Sequence, residues 1–194
     1  MTHDIVYLAS RSARRRQLLA LANIGFEPLD VDVDETPLRG EAPEPYVQRL
    51  ARDKALAGWH LVLARGMPAR PVLGADTTVV AGGQILGKPA DAGEARGMLQ
   101  ALSGRRHEVL TAVTVMLHDH VEQLCSRSAV EFGLLSGEEI DEYVACGEPM
   151  DKAGAYAVQG AAQRFIERVE GSFSGIMGLP LYETVRLLRR FGVT

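Results

Sequence analysis

This sequence has little cysteine, few aromatic residues and no surplus of positive charge, and each shortage excludes something. The two cysteines, Cys125 and Cys146, match no disulfide framework and no zinc-ligand spacing. They are expected as buried or half-buried thiols in a reducing compartment. Lysine and arginine total 21 against 25 aspartate and glutamate, a formal charge of −4. No global basic field exists, and the aromatic residues, 6% of the chain, are not interleaved with basic ones. Nucleic acid is therefore not an expected partner. No apolar run approaches the ~18 residues of a membrane span, so no membrane association is expected. The opening segment MTHDIVYLASRSARRR puts apolar residues before basic ones, the reverse of a secretory signal. The expected location is cytoplasmic. A small anionic ligand needs only a local cluster of positive charge, and that possibility stays open.

What is present is ordinary for a globular chain, with 46% hydrophobic and 24% charged residues. A chain of 194 residues is expected to form a single domain over 1–194 and to bury roughly 70% of its unfolded surface. Ile5 to Ala9 reads as a buried strand. A polar, basic turn leads from it into a helix with Leu18, Leu19, Ala22 and Ile24 on its apolar face. Phe26 to Val33 reads as a second strand, followed by a proline-rich loop and a helix from about Glu44 to Ala64. Val72 to Val80 reads as a strand that turns back at Gly82-Gly83 into Gln84 to Leu86. Asp91 with Glu94, and Ser136 with Glu139, have the spacing of capping boxes. Val109 to Leu117 and Val121 to Phe132 read as long strands joined at His118-Asp119-His120. Ala155 to Val158 and Phe165 to Val169 read as strands, and Pro180 begins a last helix. Helices and strands alternate without strict βαβ order, and hairpins are interleaved. The class is α/β with a mixed sheet.

Several constellations could carry chemistry. Ser10-Arg-Ser-Ala-Arg-Arg-Arg16 spans a strand-to-helix turn, where free N–H groups and the positive end of the helix dipole meet. Adding hydroxyls and guanidiniums suits a phosphate, although a capped helix with a solvated basic face fits as well. Asp76 interrupts the apolar run VLGADTTVV, and a carboxylate there needs a partner, a metal or an open strand end. Asp32, Asp34 and Glu35 could attract a divalent metal through oxygen ligands or form an acidic surface loop. Gly82 to Lys88 matches G-x-x-x-x-G-K, but Pro89 stands where a P-loop needs a hydroxyl, so a P-loop is rejected. Lys88 can still reach a phosphate as a point charge. Asp151 to Gly160 combines two glycines with Lys152 and Gln159, and Gly171 to Pro180 is a glycine- and serine-rich lead into a helix. His118, His120 and Trp59 read as turn and packing residues.

Taken together, LASRSARRRQLL, VDVDET, RLARDKA, VLGADTTV, LGKP, MLQALSGRRHEVLTAV, EPMDKAGAYAVQG and SFSGIMGLPL resemble, in this order, the Maf family of nucleoside triphosphate pyrophosphatases. The likeness runs from about Ile5 to Leu188. It implies the fold of the inosine-triphosphatase-like superfamily, an elongated mixed sheet flanked by helices with two lobes around a cleft. It implies hydrolysis of a nucleoside triphosphate to the monophosphate and pyrophosphate with a divalent cation, Mg²⁺ or Mn²⁺. By motif, Asp76 matches the family's proton acceptor and Glu35 a second essential acid near the metal. Ser10, Arg14, Arg15, Lys54 and Lys88 match phosphate-side positions, and Lys152 joins them as a cation. Arg14, Thr77 and Gln159 fall at positions tied to substrate choice, and the pattern resembles the dTTP/UTP-preferring branch. A 7-methyl-GTP pyrophosphatase and a nucleotide-binding regulator of septum formation are the alternative functions. A homodimer is implied by the resemblance alone. Two positions depart from the family pattern: Arg11 stands where a smaller residue is common, adding charge near the substrate, and Ala13 stands where proline is usual.

Overall fold

The computed structural model describes residues 4–193. Its strands are β1 (Ile5–Ala9), β2 (Gly25–Leu29), β3 (Val72–Ala81), β4 (Gln84–Leu86), β5 (Arg106–Leu117), β6 (His120–Phe132) and β7 (Ile166–Glu170). The helices are α1 (Ala13–Leu21), α2 (Pro43–Ala64), α3 (Ala92–Leu102), α4 (Gly137–Ala145), the short α5 (Phe173–Ile176) and α6 (Leu181–Arg190). The strands form one sheet in the order β2-β1-β3-β5-β6-β7, with β4 paired to β3. Pairing is parallel for β1 with β2 and with β3, and antiparallel for β3 with β4 and for β6 with β7. The mixed α/β sheet expected from the sequence is therefore found. Among the described residues no helix is long and apolar enough to cross a membrane.

The chain divides into two compact units, and β3 passes from one to the other between Asp76 and Thr77. The first unit holds the chain up to Asp76, Thr111–Ser126 and the chain from Gly178 onward. In it the continuous apolar run of β1 is buried, and Tyr7 and Ala9 pack with Val72, Ala55, Trp59 and Val62. Two glycines let α2 lie directly on this sheet. A Cβ at Gly58 would stand 2.7 Å from Val72, and one at Gly74 would stand 2.3 Å from the Ala51 carbonyl oxygen. Trp59 is a packing residue, set edge-on to His118, and His120 stacks on Phe191.

The second unit comprises Thr77–Leu110 and Arg127–Met177. Its core gathers Val79, Leu99, Leu102, Val109, Phe132, Tyr143, Tyr156 and Phe165. Gly82 and Gly83, at φ 56° and 79°, make the expected hairpin turn into β4. Ser136 and Glu139 form the reciprocal cap of α4. Asp91 caps α3 as expected by accepting from Glu94 N, and the return bond goes one residue earlier, from Ala90 N to Glu94.

Three element expectations are corrected. β2 stops at Leu29, because its partner β1 ends at Ala9 in the same register and, among the described residues, no strand continues the ladder. Ala155 to Val158 is not a strand. Gly154 and Ala155 take left-handed φ values of 67° and 59°, which a strand does not accept; a 3-10 turn, Ala153–Ala155, ends there, and Tyr156 to Val158 continue without helix or strand. β7 begins at Ile166 after another such turn. Of the two thiols, Cys125 is half-buried, but Cys146 is exposed at the end of α4.

Candidate active site

The first unit assembles an acid–amine cluster from three segments. Asp76 projects from β3 on the same face as Gly74, since side chains alternate along a strand. That face is covered by α2. The contact of Gly74 with the α2 backbone sets the helix close enough for Lys54, one turn beyond Ala51, to meet Asp76. Lys54 Nζ lies 2.6 Å from Asp76 Oδ1 and 2.6 Å from Glu35 Oε1. Asp76 is 7% exposed. A buried carboxylate needs a compensating charge, and Lys54 supplies it. Glu35 comes from the chain between β2 and α2 and stays half-exposed.

Ser10 and Arg15 meet at the turn after β1. Ser12 caps α1 by accepting from Arg15 N, so Ala13 is accommodated at the helix start. Ser10 Oγ accepts from Ser12 N at 3.2 Å and from Arg15 Nη1 at 3.1 Å. Arg15 Nε donates to the Gly178 carbonyl at 2.8 Å. Burial pushes the Arg15 guanidinium below its ordinary value, and the charge of Asp76 works against that shift. Arg14 is half-buried on the same helix turn. Arg11 does not add free charge there: it pairs with Asp30 at 2.5 Å and with Asp32 at 3.8 Å.

The acidic run is also sorted by the structure. Asp32 is turned to Arg11, and Asp34 Oδ1 accepts from Thr36 N at 2.9 Å. Among the described residues no group of three or more His, Cys, Asp or Glu side chains is gathered for a metal. The three-acid alternative is therefore not the arrangement found. Glu35 and Asp76 remain as two carboxylates already bridged by a cation, the Lys54 ammonium. That donor chemistry fits Mg²⁺ or Mn²⁺, which bind through one or two carboxylates and complete their shell with water and phosphate oxygens.

Two residues that the sequence reading passed over belong to this cluster. Tyr46 donates to the Glu35 carbonyl at 2.9 Å, and Arg49 donates to the Thr36 carbonyl at 3.1 Å. Burial first, then the charges of Asp76 and Glu35, push the Tyr46 phenol up to about 12, so it stays a neutral donor. Their spacing on α2 was the available signal: Tyr46 and Arg49 stand three residues apart and so neighbour each other on the helix surface, and Lys54 follows on the same helix.

The remaining expected residues lie in the second unit. Thr77 is half-buried on β3, and Lys88 is exposed just after β4. Lys152 pairs with Asp151. Gly154 N donates to the Gly87 carbonyl at 3.0 Å, which joins the segments bearing Lys88 and Lys152. Gln159 is half-buried, and the chain on either side of it is tied to one carboxylate, Glu148. Tyr143 donates to Glu148 Oε1 at 2.6 Å, and Ala161 N donates to Glu148 Oε2 at 3.1 Å. The lead into α6 is capped internally, with Ser172 Oγ accepting from Gly175 N.

The family model for Maf-like proteins matches residues 5–191. The chain belongs to the Maf-like protein family. A dTTP/UTP pyrophosphatase of Aromatoleum aromaticum is 53% identical, covering 96% of this chain and 95% of that protein. A dTTP/UTP pyrophosphatase of Chromobacterium violaceum is 49% identical, covering 96% and 94% respectively. One from Nitrosomonas europaea is 50% identical over 98% of this chain and 96% of its own length. In this Maf-like chain the resemblance thus extends over both units.

Proposed function

We propose that this Maf-like protein is a dTTP/UTP pyrophosphatase that cleaves the triphosphate between the α and β phosphates. The single observation that carries the reading is Lys54, held 2.6 Å from both Glu35 and Asp76. A hydrolase of this kind needs a carboxylate base beside a cation, and this contact provides both. Relatives near 50% identity over almost their whole length are named for that activity.

Water attacks phosphorus, the bond to the bridging oxygen breaks, and pyrophosphate leaves with the electron pair. Asp76 accepts the proton of that water. Lys54 holds the Asp76 carboxylate in place beforehand through their 2.6 Å contact. Glu35 and Asp76 would hold the divalent cation, which when bound supplies Lewis-acid shielding of the triphosphate charge. Arg14 adds positive charge at the start of α1. Arg15 acts through Ser10, whose hydroxyl it fixes. Lys88 and Lys152 are assigned to the phosphates, and Thr77 and Gln159 to the base. A Gln amide offers both a donor and an acceptor to a pyrimidine edge. A homodimer in the cytoplasm, built from a single domain over 1–194, completes the proposal.

The test is a panel of nucleoside triphosphates assayed for pyrophosphate release with Mg²⁺ or Mn²⁺. The expected result is turnover of dTTP and UTP ahead of purine triphosphates. Absence of turnover for every pyrimidine triphosphate overturns the reading, and so does a preference for 7-methyl-GTP.

A further inference from the structure

The chain over 30–42 has no helix or strand and is mostly exposed. Glu35 sits in its middle, and its carboxylate meets the Lys54 amine at 2.6 Å. The Glu35–Lys54 contact cannot hold this segment alone. Glu35 is 47% exposed there, and ion pairs open to water contribute little. Loops of this length take several conformations unless something ties them.

The ties come from α2. Tyr46 Oη donates to the carbonyl of Glu35 itself, and Arg49 Nη2 donates to the next carbonyl, Thr36. Arg49 also grips the far end of the loop. Its Nε and Nη2 donate to the two oxygens of Glu41 at 2.7 and 2.8 Å, a two-pronged geometry that fixes direction as well as distance. Glu41 then accepts from Leu38 N at 2.9 Å, and Asp53, one turn on, stands 3.6 Å from Arg49 Nη1. Successive carbonyls on either side of one peptide are thus pinned by side chains one turn apart on the helix that also carries Lys54.

We propose that Tyr46 and Arg49 are positioning residues for Glu35, holding its carboxylate where it and Asp76 share a cation. The inference rests on the proposed hydrolase reading and extends it. The role needs no contact of either residue with the nucleotide. They act by fixing the Glu35 backbone, so their loss weakens divalent-cation binding and turnover, and leaves nucleotide binding without metal unchanged.

The experiment uses Tyr46→Phe, Arg49→Met and Arg49→Lys in the full chain. Mn²⁺ affinity is read directly, from the free-ion paramagnetic signal, with and without a non-hydrolysable pyrimidine triphosphate. Outer partners of metal ligands typically contribute roughly 10- to 100-fold in affinity. The expected loss is near the lower end for Tyr46→Phe and near the upper end for Arg49→Met. Arg49→Lys falls between them, because charge returns without the fork. In a Glu35→Gln background the Tyr46→Phe change should add nothing, as expected for a residue acting through another. Unchanged Mn²⁺ affinity in both Tyr46→Phe and Arg49→Met overturns the positioning role. Additive losses in the Glu35→Gln background, or equal losses of metal-free nucleotide binding, also overturn it. If the parent protein binds Mn²⁺ but turns over no nucleotide, the hydrolase reading falls, and the same titrations still decide the positioning role.

Discussion

Gly74 on β3 faces Ala51 on α2 so closely that a Cβ on the glycine would stand 2.3 Å from the Ala51 carbonyl oxygen. Two residues beyond Gly74 is Asp76, and one helical turn beyond Ala51 is Lys54. The close approach is what lets a lysine on the helix reach a carboxylate on the strand. Gly74→Ala should force the two backbones apart. Overpacking of this type costs about 1–3 kcal/mol, and each kcal/mol lowers the melting temperature of a chain this size by roughly 2–4 °C. Turnover should fall further than the stability loss explains, because the Lys54–Asp76 contact is stretched. A thermal melt paired with a pyrophosphate assay checks both, and a variant with parental turnover contradicts the account.

Lys54 and Asp76 should separate stability from chemistry. Lys54→Met leaves a nearly buried carboxylate without its partner, which is expected to cost about 3–5 kcal/mol. Asp76→Asn should abolish turnover while nucleotide still binds. The double substitution removes both charges and should recover much of the stability, with no recovery of activity. Denaturant midpoints of the three variants, beside equilibrium nucleotide binding, give the comparison. Near-parental activity in Asp76→Asn removes the aspartate as proton acceptor.

His107 should make the protein acid-sensitive. It is buried beside Phe132, with Nε2 2.8 Å from the Tyr156 hydroxyl, and burial holds its imidazole down at about 4. Between about 6.5 and 4 the unfolded chain binds this proton and the folded chain does not. Stability contributed by the neutral ring is therefore complete above about 6.5 and is lost as pH falls through that window. The loss is on the order of 3 kcal/mol by pH 4. Stability curves against pH for the parent and His107→Phe check it: the parent should fall steeply there and the variant should be flatter.

Gly160 has a requirement for space rather than for unusual backbone angles. A Cβ there would lie 2.3 Å from both oxygens of Glu148, the carboxylate that receives Tyr143 and Ala161 N. Gly160→Ala should displace Glu148 and move Gln159, its neighbour in the chain. A misplacement approaching 1 Å lowers kcat/KM on the order of tenfold to a hundredfold. The loss should fall mainly on KM and narrow the discrimination between pyrimidine and purine triphosphates. Steady-state kinetics on dTTP and ATP measure it, and unchanged discrimination counts against Gln159 as a base contact.

The parts of this molecule that sequence made legible are those fixed by local chemistry. Ser136 with Glu139, Gly82-Gly83 and the apolar run at Ile5 each specify a cap, a turn or a buried strand within a few residues. The Ser10, Glu35, Lys54 and Asp76 motifs could be named from family likeness, but not the 2.6 Å contacts that bind three of them together. Those depend on Gly74 and on the packing of distant segments. Ala155 to Val158 read as a strand because its apolar residues are buried. The left-handed turn at Gly154 and Ala155 had no unambiguous marker, since alanine rarely takes that conformation. Arg11 read as surplus charge because its partners, Asp30 and Asp32, come from a different element.

The contacts of α2 with both acids also bear on where this chain can tolerate insertions and deletions. Tyr46, Arg49 and Lys54 act from one continuous helix, so their angular phase is set by residue count alone. One residue gained or lost between Arg49 and Lys54 rotates the downstream side chains by about 100°. The bridging amine would then leave its present angular phase relative to the anchors of Glu35. Length variation should therefore be excluded from 46–54, whereas the exposed tip at His118 and Asp119 carries no comparable constraint.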